Sequence, residues 1–258
     1  MPAKRQLSCF VIAKNEGDRI ERCLKSLHGW VDQLIVLDSG STDGTVGIAK
    51  KYADEVIETD WPGYGVQRNR ALTYCKHDWV LNIDADEEVT PALRDEIVAV
   101  LSSEHLSANF IKCPWHTVFL GSVLKHGRYS TPQGKLFLKH GAKFKEASVH
   151  ESLILEKEQV LVLKSPLLHY SWRNYKHAID KHVQYAVLSA KDKFSRGKKA
   201  SLGYACLRFF TDFLQQYVLR GGFLDGRAGL MMAIILAQYG FHKYAALWAM
   251  NREGSAGE

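Results

Sequence analysis

Three polar clusters in the N-terminal third of the chain carry side chains that suit a charged ligand. The clusters are Lys14-Asn15-Glu16, Asp38 and the triplet Asp84-Ala85-Asp86, and each comes directly after an apolar run. Two carboxylates separated by one residue suit a hard divalent cation and, through that cation, a diphosphate. Alone, such a triplet is more often a solvated turn whose acids favour the N-terminus of the next helix. Its meaning therefore depends on whether the other two clusters lie beside it.

Strands and helices alternate around these clusters. The apolar patterns predict strands over residues 7–13, 33–37, 55–59 and 79–83, and helices over residues 19–27, 45–52, 66–74 and 91–101. Such alternation indicates an α/β fold with a mostly parallel, doubly wound sheet flanked by helices. In these sheets, ligands bind beyond the carboxyl ends of the strands. We therefore expect the three clusters to meet at one edge of the sheet.

The remainder of the chain has a different pattern. Short strands are predicted over residues 111–119, 135–139 and 149–155. From Asn174 onward the chain reads as helical. The sequence thus predicts an α/β region, a β-rich region and a C-terminal helical extension.

The order and spacing of three runs resemble family 2 glycosyltransferases of the GT-A fold, which is a Rossmann-like fold. These runs are residues 11–16, 36–45 and 82–87. More narrowly, residues 65–69, 149–151 and 223–226 resemble lipopolysaccharide core β-1,4-glucosyltransferases of Gram-negative bacteria. The resemblance implies a GT-A domain over residues 1–172, with a donor part at 1–105 and an acceptor part at 106–172. A helical, membrane-associating extension would follow at 173–258.

The resemblance also implies a reaction and a set of site residues. It implies an inverting, metal-dependent transfer of a hexose, with glucose from UDP-glucose as the expected donor, to a lipopolysaccharide inner-core sugar or a related glycolipid. Such a transfer needs the diphosphate charge to be neutralised and the acceptor hydroxyl to lose its proton. For the nucleotide-sugar, Ala13, Lys14 and Glu16 would line the uridine pocket, Asp38 would contact uracil or ribose, Asp84 would face the ribose or sugar, and Arg68 would reach the diphosphate. Asp86 would bind Mg²⁺ or Mn²⁺, and Glu151 would be the catalytic base.

Several of these residues have ordinary structural alternatives. Asp38 is also typical of a turn cap, Arg68 of a solvated helix charge, and Glu151 of an acid at a strand end. His150 and His169 are weaker candidates for contact with the metal or the diphosphate. His169 is as readily interpreted as a core histidine.

Composition and charge favour anionic partners without choosing among them. The 258 residues include 34 Lys and Arg against 28 Asp and Glu, which gives a net charge of +6. This balance suits nucleotide diphosphates, anionic lipid or nucleic acid, and with the resemblance above no nucleic-acid partner is expected. The five cysteines form no Cys-x-x-Cys pair, which argues against a zinc or redox motif.

The C-terminal region has a pattern that is typical of peripheral membrane proteins. The basic run at residues 191–199 precedes two segments, around 207–218 and 228–250, with apolar residues at helical spacing. This pattern predicts contact with anionic inner membrane; the alternative is a helical subdomain that packs on the catalytic core. Neither a signal peptide nor an apolar run long enough to span a bilayer is evident. We therefore expect a location at the cytoplasmic face of the inner membrane.

Other functions remain open on the sequence alone. A non-catalytic nucleotide- or membrane-binding module would keep the pocket at the strand ends. A haloacid dehalogenase-type phosphatase also uses two aspartates after a strand, but it expects Thr or Val where Glu88 stands here. A dinucleotide-binding protein is disfavoured because no Gly-x-Gly-x-x-Gly follows the first strand. One departure from the resembled family is Leu37-Asp38, where many members carry two consecutive acids.

Overall fold

The computed structural model describes residues 5–146 and 152–255, and the chain forms two compact units. The first unit consists of residues 1–115 and 131–169, and the second of residues 116–130 and 170–258. The domain boundary predicted at residue 172 stays a prediction.

The chain alternates between strand and helix up to residue 101 and then becomes richer in strands. The strands are β1 (Leu7–Ala13), β2 (Gln33–Asp38), β3 (Glu55–Glu58), β4 (Trp79–Asp84), β5 (Glu87–Val89), β6 (Phe110–Cys113), β7 (Trp115–Phe119), β8 (Ser122–Leu124), β9 (Gln133–Leu138), β10 (Lys143–Phe144), β11 (Leu153–Ile154), β12 (Val160–Val162) and β13 (Leu167–His169). The α-helices are α1 (Ile20–Leu27), α2 (Thr45–Ala49), α3 (Tyr64–Tyr74), α4 (Pro91–Leu101), α5 (Tyr175–Ser195), α6 (Leu202–Leu214) and α7 (Gly226–Ser255). Two 3₁₀ turns lie at Arg128–Ser130 and Gly222–Asp225, and a π-helical turn at Gln215–Leu219 continues α6.

A seven-stranded sheet in the order β12-β6-β9-β4-β1-β2-β3 forms the centre of the first unit. Strands β4, β1, β2 and β3 are parallel, whereas β9 runs antiparallel between β4 and β6. The predicted α/β fold with a mostly parallel sheet is therefore confirmed. The strand predicted over residues 111–119 is broken in two at Pro114, because proline has no backbone N–H to donate to a neighbouring strand.

The sheet of the first unit is buried on both faces. Alternate residues of β1 enter different apolar clusters, as Cys9 and Val11 do on one face and Phe10 and Ile12 do on the other. All seven residues of β1 are buried, which is typical of a parallel strand covered by helices on both sides. The sheet edge that carries the strand ends is therefore held by a rigid core.

The second unit is mainly helical. Helix α7 packs against both α5 and α6, around a core that includes Phe119, Met232 and Leu236. The approach of α6 to α7 requires Gly240, because a Cβ atom there would lie 2.1 Å from Asp212 Oδ2. The predicted C-terminal helical extension is confirmed. Among the described residues, no helix is both long enough and apolar enough to cross a bilayer.

Candidate active site

The loops that follow β1 and β2 are joined by hydrogen bonds at the carboxyl edge of the sheet. The backbone N–H of Asn15 donates to Ser41 Oγ (2.8 Å), and the N–H of Thr42 donates to Asn15 Oδ1 (2.9 Å). The N–H of Glu16 donates to Thr45 Oγ1 (2.9 Å). Asn15 has a φ of 55°, a left-handed conformation that asparagine adopts more readily than most residues. Two of the three predicted clusters thus lie together.

Asp38 is fully buried and closes the turn after β2. Its two carboxylate oxygens accept hydrogen bonds from the N–H (2.8 Å) and the Oγ (2.5 Å) of Ser41. These bonds are those of a turn cap, and each carboxylate oxygen can still accept a further hydrogen bond, such as one from uracil or ribose. The contact between Asp38 and the nucleotide stays a prediction.

The other residues predicted for the uridine pocket lie along the same edge. Ala13 is 3% exposed, and its carbonyl accepts the N–H of Ser39 at 2.9 Å. Lys14 is exposed, with Nζ 6.0 Å from the centre of the Trp61 ring. Glu16 is held by Arg19 through a 2.5 Å ion pair. Their roles in binding uridine stay predictions.

The segment at residues 65–69 lies in the first turns of helix α3 and contacts several parts of the site. Gly65 packs against the backbone of Lys145, where a Cβ atom on residue 65 would lie 2.3 Å from the carbonyl oxygen. Gln67 is fully buried, and its Nε2 donates to Ser39 Oγ at 3.0 Å. The side chain of Asn69 donates to the carbonyl of Phe144 and accepts its N–H. The segment therefore fixes α3 against both the β2 loop and β10.

Asp84, at the end of β4, is held between two cations. Arg68 Nη2 donates to Asp84 Oδ1 at 2.6 Å, and Lys135 Nζ donates to Asp84 Oδ2 at 2.9 Å. Burial alone would raise the pKa of Asp84, but the charges and hydrogen bonds of Lys135 and Arg68 outweigh it and hold that pKa well below its usual value. The alternative interpretation of Arg68 as a solvated helix charge is wrong, because its side chain is only 11% exposed and bonded to Asp84.

Glu87 is a buried acid that links the end of β4 to side chains of β7 and β9. It is 1% exposed and accepts hydrogen bonds from Lys135 Nζ (2.7 Å), from Trp115 Nε1 (2.7 Å) and from the backbone N–H of Asp84 (2.9 Å). Burial raises the pKa of Glu87, and the Lys135 charge only partly opposes this. Burial would lower the pKa of Lys135, but the charges of Asp84 and Glu87 raise it instead. Lys135 therefore stays cationic and keeps two acids close together.

Asp86 lies beside a histidine that comes from much later in the chain. The Nε2 atom of His169 is 3.3 Å from Asp86 Oδ2, and Arg19 Nη1 is 3.6 Å from the same oxygen. Strand pairing places His169, since β13 pairs with β5 so that His169 stands opposite Glu87. The ring of Trp115 stacks on His169 with centroids 4.1 Å apart. Burial would raise the pKa of Asp86, but the hydrogen bond and charge of His169 lower it.

Asp86, the predicted metal ligand, and His169 are side chains of a kind that divalent cations bind, and the assignment of Asp86 stays a prediction. Among the described residues, no group of three His, Cys, Asp or Glu side chains is arranged to hold a metal ion. Magnesium and similar cations are commonly held by one or two protein groups, with substrate phosphates and water completing the shell. An aspartate and an imidazole nitrogen 3.3 Å apart fit such a cation when it arrives with a diphosphate. Both carboxylate oxygens of Asp84 are bonded to cations, Arg68 and Lys135, whereas the described contacts of Asp86 with His169 and Arg19 involve Oδ2. This difference favours Asp86 over Asp84 as the ligand of a cation.

Sequence reasoning missed Glu87, Lys135 and Trp115, and His169, a weaker candidate from the sequence, lies buried beside Asp86. A signal was present for Lys135, because a lysine at the start of the apolar run Lys135-Leu136-Phe137-Leu138 is unusual unless it is paired. Glu151 and His150 lie outside the described residues. The assignment of Glu151 as the catalytic base therefore stays a prediction.

Comparison with known proteins identifies the family of the chain. Residues 8–154 match glycosyl transferase family 2. An uncharacterized glycosyltransferase of Rickettsia prowazekii (strain Madrid E) is 32% identical over 254 residues, which are 94% of this chain and 87% of the relative. The lipopolysaccharide core biosynthesis glycosyltransferase LpsC of Rhizobium meliloti (strain 1021) is 28% identical over 261 residues, 96% of this chain and 94% of the relative. A solved structure of glucosyl-3-phosphoglycerate synthase from Mycobacterium tuberculosis is 31% identical, but it covers 43% of this chain and 44% of its own at a TM-score of 0.38.

Proposed function

The chain belongs to glycosyl transferase family 2, and we propose that it transfers a hexose from a UDP-sugar, with glucose as the expected hexose, to an inner-core sugar of lipopolysaccharide or a related glycolipid. Family membership makes it a nucleotide-sugar-dependent glycosyltransferase, so the non-catalytic module and the phosphatase considered above are excluded. The acceptor class is supported by LpsC, whose name assigns it to lipopolysaccharide core biosynthesis and whose similarity extends over 96% of this chain.

One observation carries the mechanism: Asp86 and His169 lie 3.3 Å apart beside Asp84, whose own oxygens are already bound by two cations. The two aspartates of the triplet therefore have different tasks. Asp86, with His169, is the side that would hold Mg²⁺ or Mn²⁺. Asp84 is a fixed carboxylate, 29% exposed, that faces the ribose or the sugar of the donor. A bound cation would neutralise the charge that develops on the departing diphosphate.

The chain's own residues orient the donor and accept the proton. The uridine lies against the loop edge formed by Ala13, Lys14, Glu16 and Asp38. Arg68 is anchored on Asp84 and adds positive charge near the diphosphate, where it stabilises the leaving group. Glu151 accepts the proton of the acceptor hydroxyl as that oxygen attacks the anomeric carbon from the face opposite the diphosphate. The configuration at that carbon is inverted.

The proposed acceptor class implies a place of action. UDP-sugars are cytoplasmic substrates, and a lipopolysaccharide core intermediate is anchored in a membrane by its lipid. The enzyme therefore works at the cytoplasmic face of the inner membrane.

The test is turnover of UDP-sugars with truncated core acceptors in the presence of Mg²⁺ or Mn²⁺. We expect UDP release with one sugar and transfer to the acceptor. Asp86→Asn should lower metal-dependent turnover by roughly 100-fold or more, because it removes the charged ligand. Asp95→Asn, an exposed aspartate on α4, is the matched control and should retain full activity.

The acid–base assignment needs a separate variant. Glu151→Gln should bind UDP and Mn²⁺ as the wild type does, measured by titration calorimetry, while transfer stops. Wild-type transfer rates in Glu151→Gln would move the base to another residue. Full metal-dependent turnover in Asp86→Asn would show that the metal role is misassigned.

A further inference from the structure

The second unit carries an apolar surface that faces solvent along α6. Leu207, Phe210, Leu214 and Val218 are 56%, 68%, 53% and 47% exposed. Their spacing of three or four residues places them on one side of the helix and its π-helical continuation. Ala205, which is fully buried, points to the opposite side. These four side chains are therefore not part of the core of this unit.

The same surface continues beyond the end of α6. Leu219, Phe223 and Leu224 are 75%, 50% and 61% exposed. We call the seven residues together the α6 face: Leu207, Phe210, Leu214, Val218, Leu219, Phe223 and Leu224. A single exposed apolar side chain needs no explanation, but a set of this size marks a surface that another body covers.

Acidic residues are rare in the stretch of sequence that contains the α6 face. From residue 193 to residue 252 the sequence has nine Lys and Arg residues but only two acids, Asp212 and Asp225. Both acids pair with other groups of the second unit. Asp212, whose side chain is 16% exposed, is paired with Arg208. Asp225, whose side chain is 5% exposed, accepts hydrogen bonds from two backbone N–H groups and contacts His126 Nδ1 at 2.9 Å.

Exposed cations stand at both ends of the α6 face. Lys198 and Lys199 are exposed just before α6 begins. Arg220 is exposed directly after the π-helical turn, and Arg227 is exposed in the first turn of α7. Exposed positive charges thus flank the apolar stripe in the sequence, and neither acid within that stretch is fully exposed. Beyond its two ends lie the exposed acids Asp192, which is paired with Arg196, and Glu253.

We propose that the α6 face docks on an anionic lipid bilayer. Large apolar side chains enter the boundary between headgroups and acyl chains, while Lys and Arg contact the lipid phosphates. The charge argues against a second copy of this chain as the occupant, because two such faces would bring like charges together. This inference rests on the proposed function only in that a glycolipid acceptor would lie in the same membrane. The docking itself needs neither donor nor acceptor.

The experiment is flotation of the full chain with vesicles of phosphatidylcholine and phosphatidylglycerol, without UDP-sugar. The wild type should float with the mixed vesicles, and much less with pure phosphatidylcholine or at high salt. The double variant Phe210→Gln/Leu214→Gln should bind at least about tenfold more weakly, equivalent to roughly 1.4 kcal/mol. The matched control is Ile154→Gln/Val162→Gln, two apolar residues of the first unit that are 50% and 51% exposed. It should bind within about twofold of the wild type.

Three results would overturn the inference. The first is that the wild type does not float with the mixed vesicles. The second is that Phe210→Gln/Leu214→Gln floats as well as the wild type does. Alternatively, gel filtration would show a dimer that this double variant dissociates. Transfer to a lipid-free core oligosaccharide separates this inference from the proposed function. We expect Phe210→Gln/Leu214→Gln to retain that transfer. If the wild type floats but transfers no sugar to the oligosaccharide, the proposed reaction is refuted and the docking inference stands.

Discussion

Replacing Lys135 by methionine is the strongest test of how the active site is held. Lys135 is 8% exposed and donates to both Asp84 (2.9 Å) and Glu87 (2.7 Å). Removing one partner of a buried ion pair typically costs about 3–5 kcal/mol, because a buried charge is left without compensation. For a unit of this size, 1 kcal/mol lowers Tm by roughly 2–4 °C. We therefore expect Lys135→Met to lower Tm by at least about 6 °C.

The double variant Lys135→Met/Glu87→Gln separates charge from packing. It removes one acid together with the cation, so the buried Glu87 carboxylate is no longer left without its lysine partner, while Asp84 keeps its ion pair with Arg68. Coupling energies for contacting residues are about 0.5–3 kcal/mol, and we expect the double variant to regain stability in that range over Lys135→Met. Lys143→Met, at an exposed lysine of β10, is the control and should unfold like the wild type.

Urea unfolding and donor turnover measure the two consequences. Turnover of the UDP-sugar should fall by roughly 10–100-fold in Lys135→Met, because Asp84 keeps only its Arg68 contact and shifts. The reasoning is refuted if Lys135→Met lies within about 1 kcal/mol of the wild type. It is also refuted if the double variant is no more stable than Lys135→Met.

Two further predictions concern backbone packing and pH. Gly65→Ala should destabilise the protein by roughly 1–3 kcal/mol in thermal melts and impair turnover, because the new Cβ would lie 2.3 Å from the carbonyl oxygen of Lys145 and displace α3. Gly47→Ala is the control and should be neutral or stabilising in the same melts, because its Cβ would meet nothing within 4 Å. Burial lowers the pKa values of His182 and His116, so the unfolded chain binds more protons than the folded one in mildly acidic solution. The stability from these groups is complete above about pH 6.5 and is lost as the pH falls toward their folded pKa values. Melts between about pH 7.5 and about pH 5 should show this decline and a shallower slope in His182→Gln, and an unchanged slope in that variant would contradict it.

The parallel half of the sheet was predictable from the sequence because its pattern is local. Strand β1 was predicted over residues 7–13 and helix α4 over residues 91–101, and both occur there. The meeting of the polar loops followed from direction alone, since parallel strands deliver their carboxyl ends to one edge. Knowledge of strand register was not needed for either result.

The partners of the two aspartates were not predictable in the same way. Lys135 reaches Asp84 because β9 pairs antiparallel with β4, and His169 reaches Asp86 because β13 pairs with β5. Both pairings join segments that are far apart in the chain. Local periodicity indicates which face of a strand is buried but not which strand lies beside it. The sequence therefore did not predict that Lys135 and His169 contact the two aspartates.

The antiparallel strand β9 has a consequence for the order of folding during synthesis. Residues 5–101 leave the ribosome before residues 133–138 and contain β1 to β5, both aspartates and Glu87. Until residues 133–138 follow, these acids lack the lysine that allows them to be buried side by side. A fragment that ends near residue 105 therefore contains the loops after β1 and β2 but lacks Lys135, the partner of Asp84 and Glu87. We therefore expect completion of the sheet and assembly of the candidate active site to be a single late event, in which a long-range strand pairing forms before the early half gains its full stability.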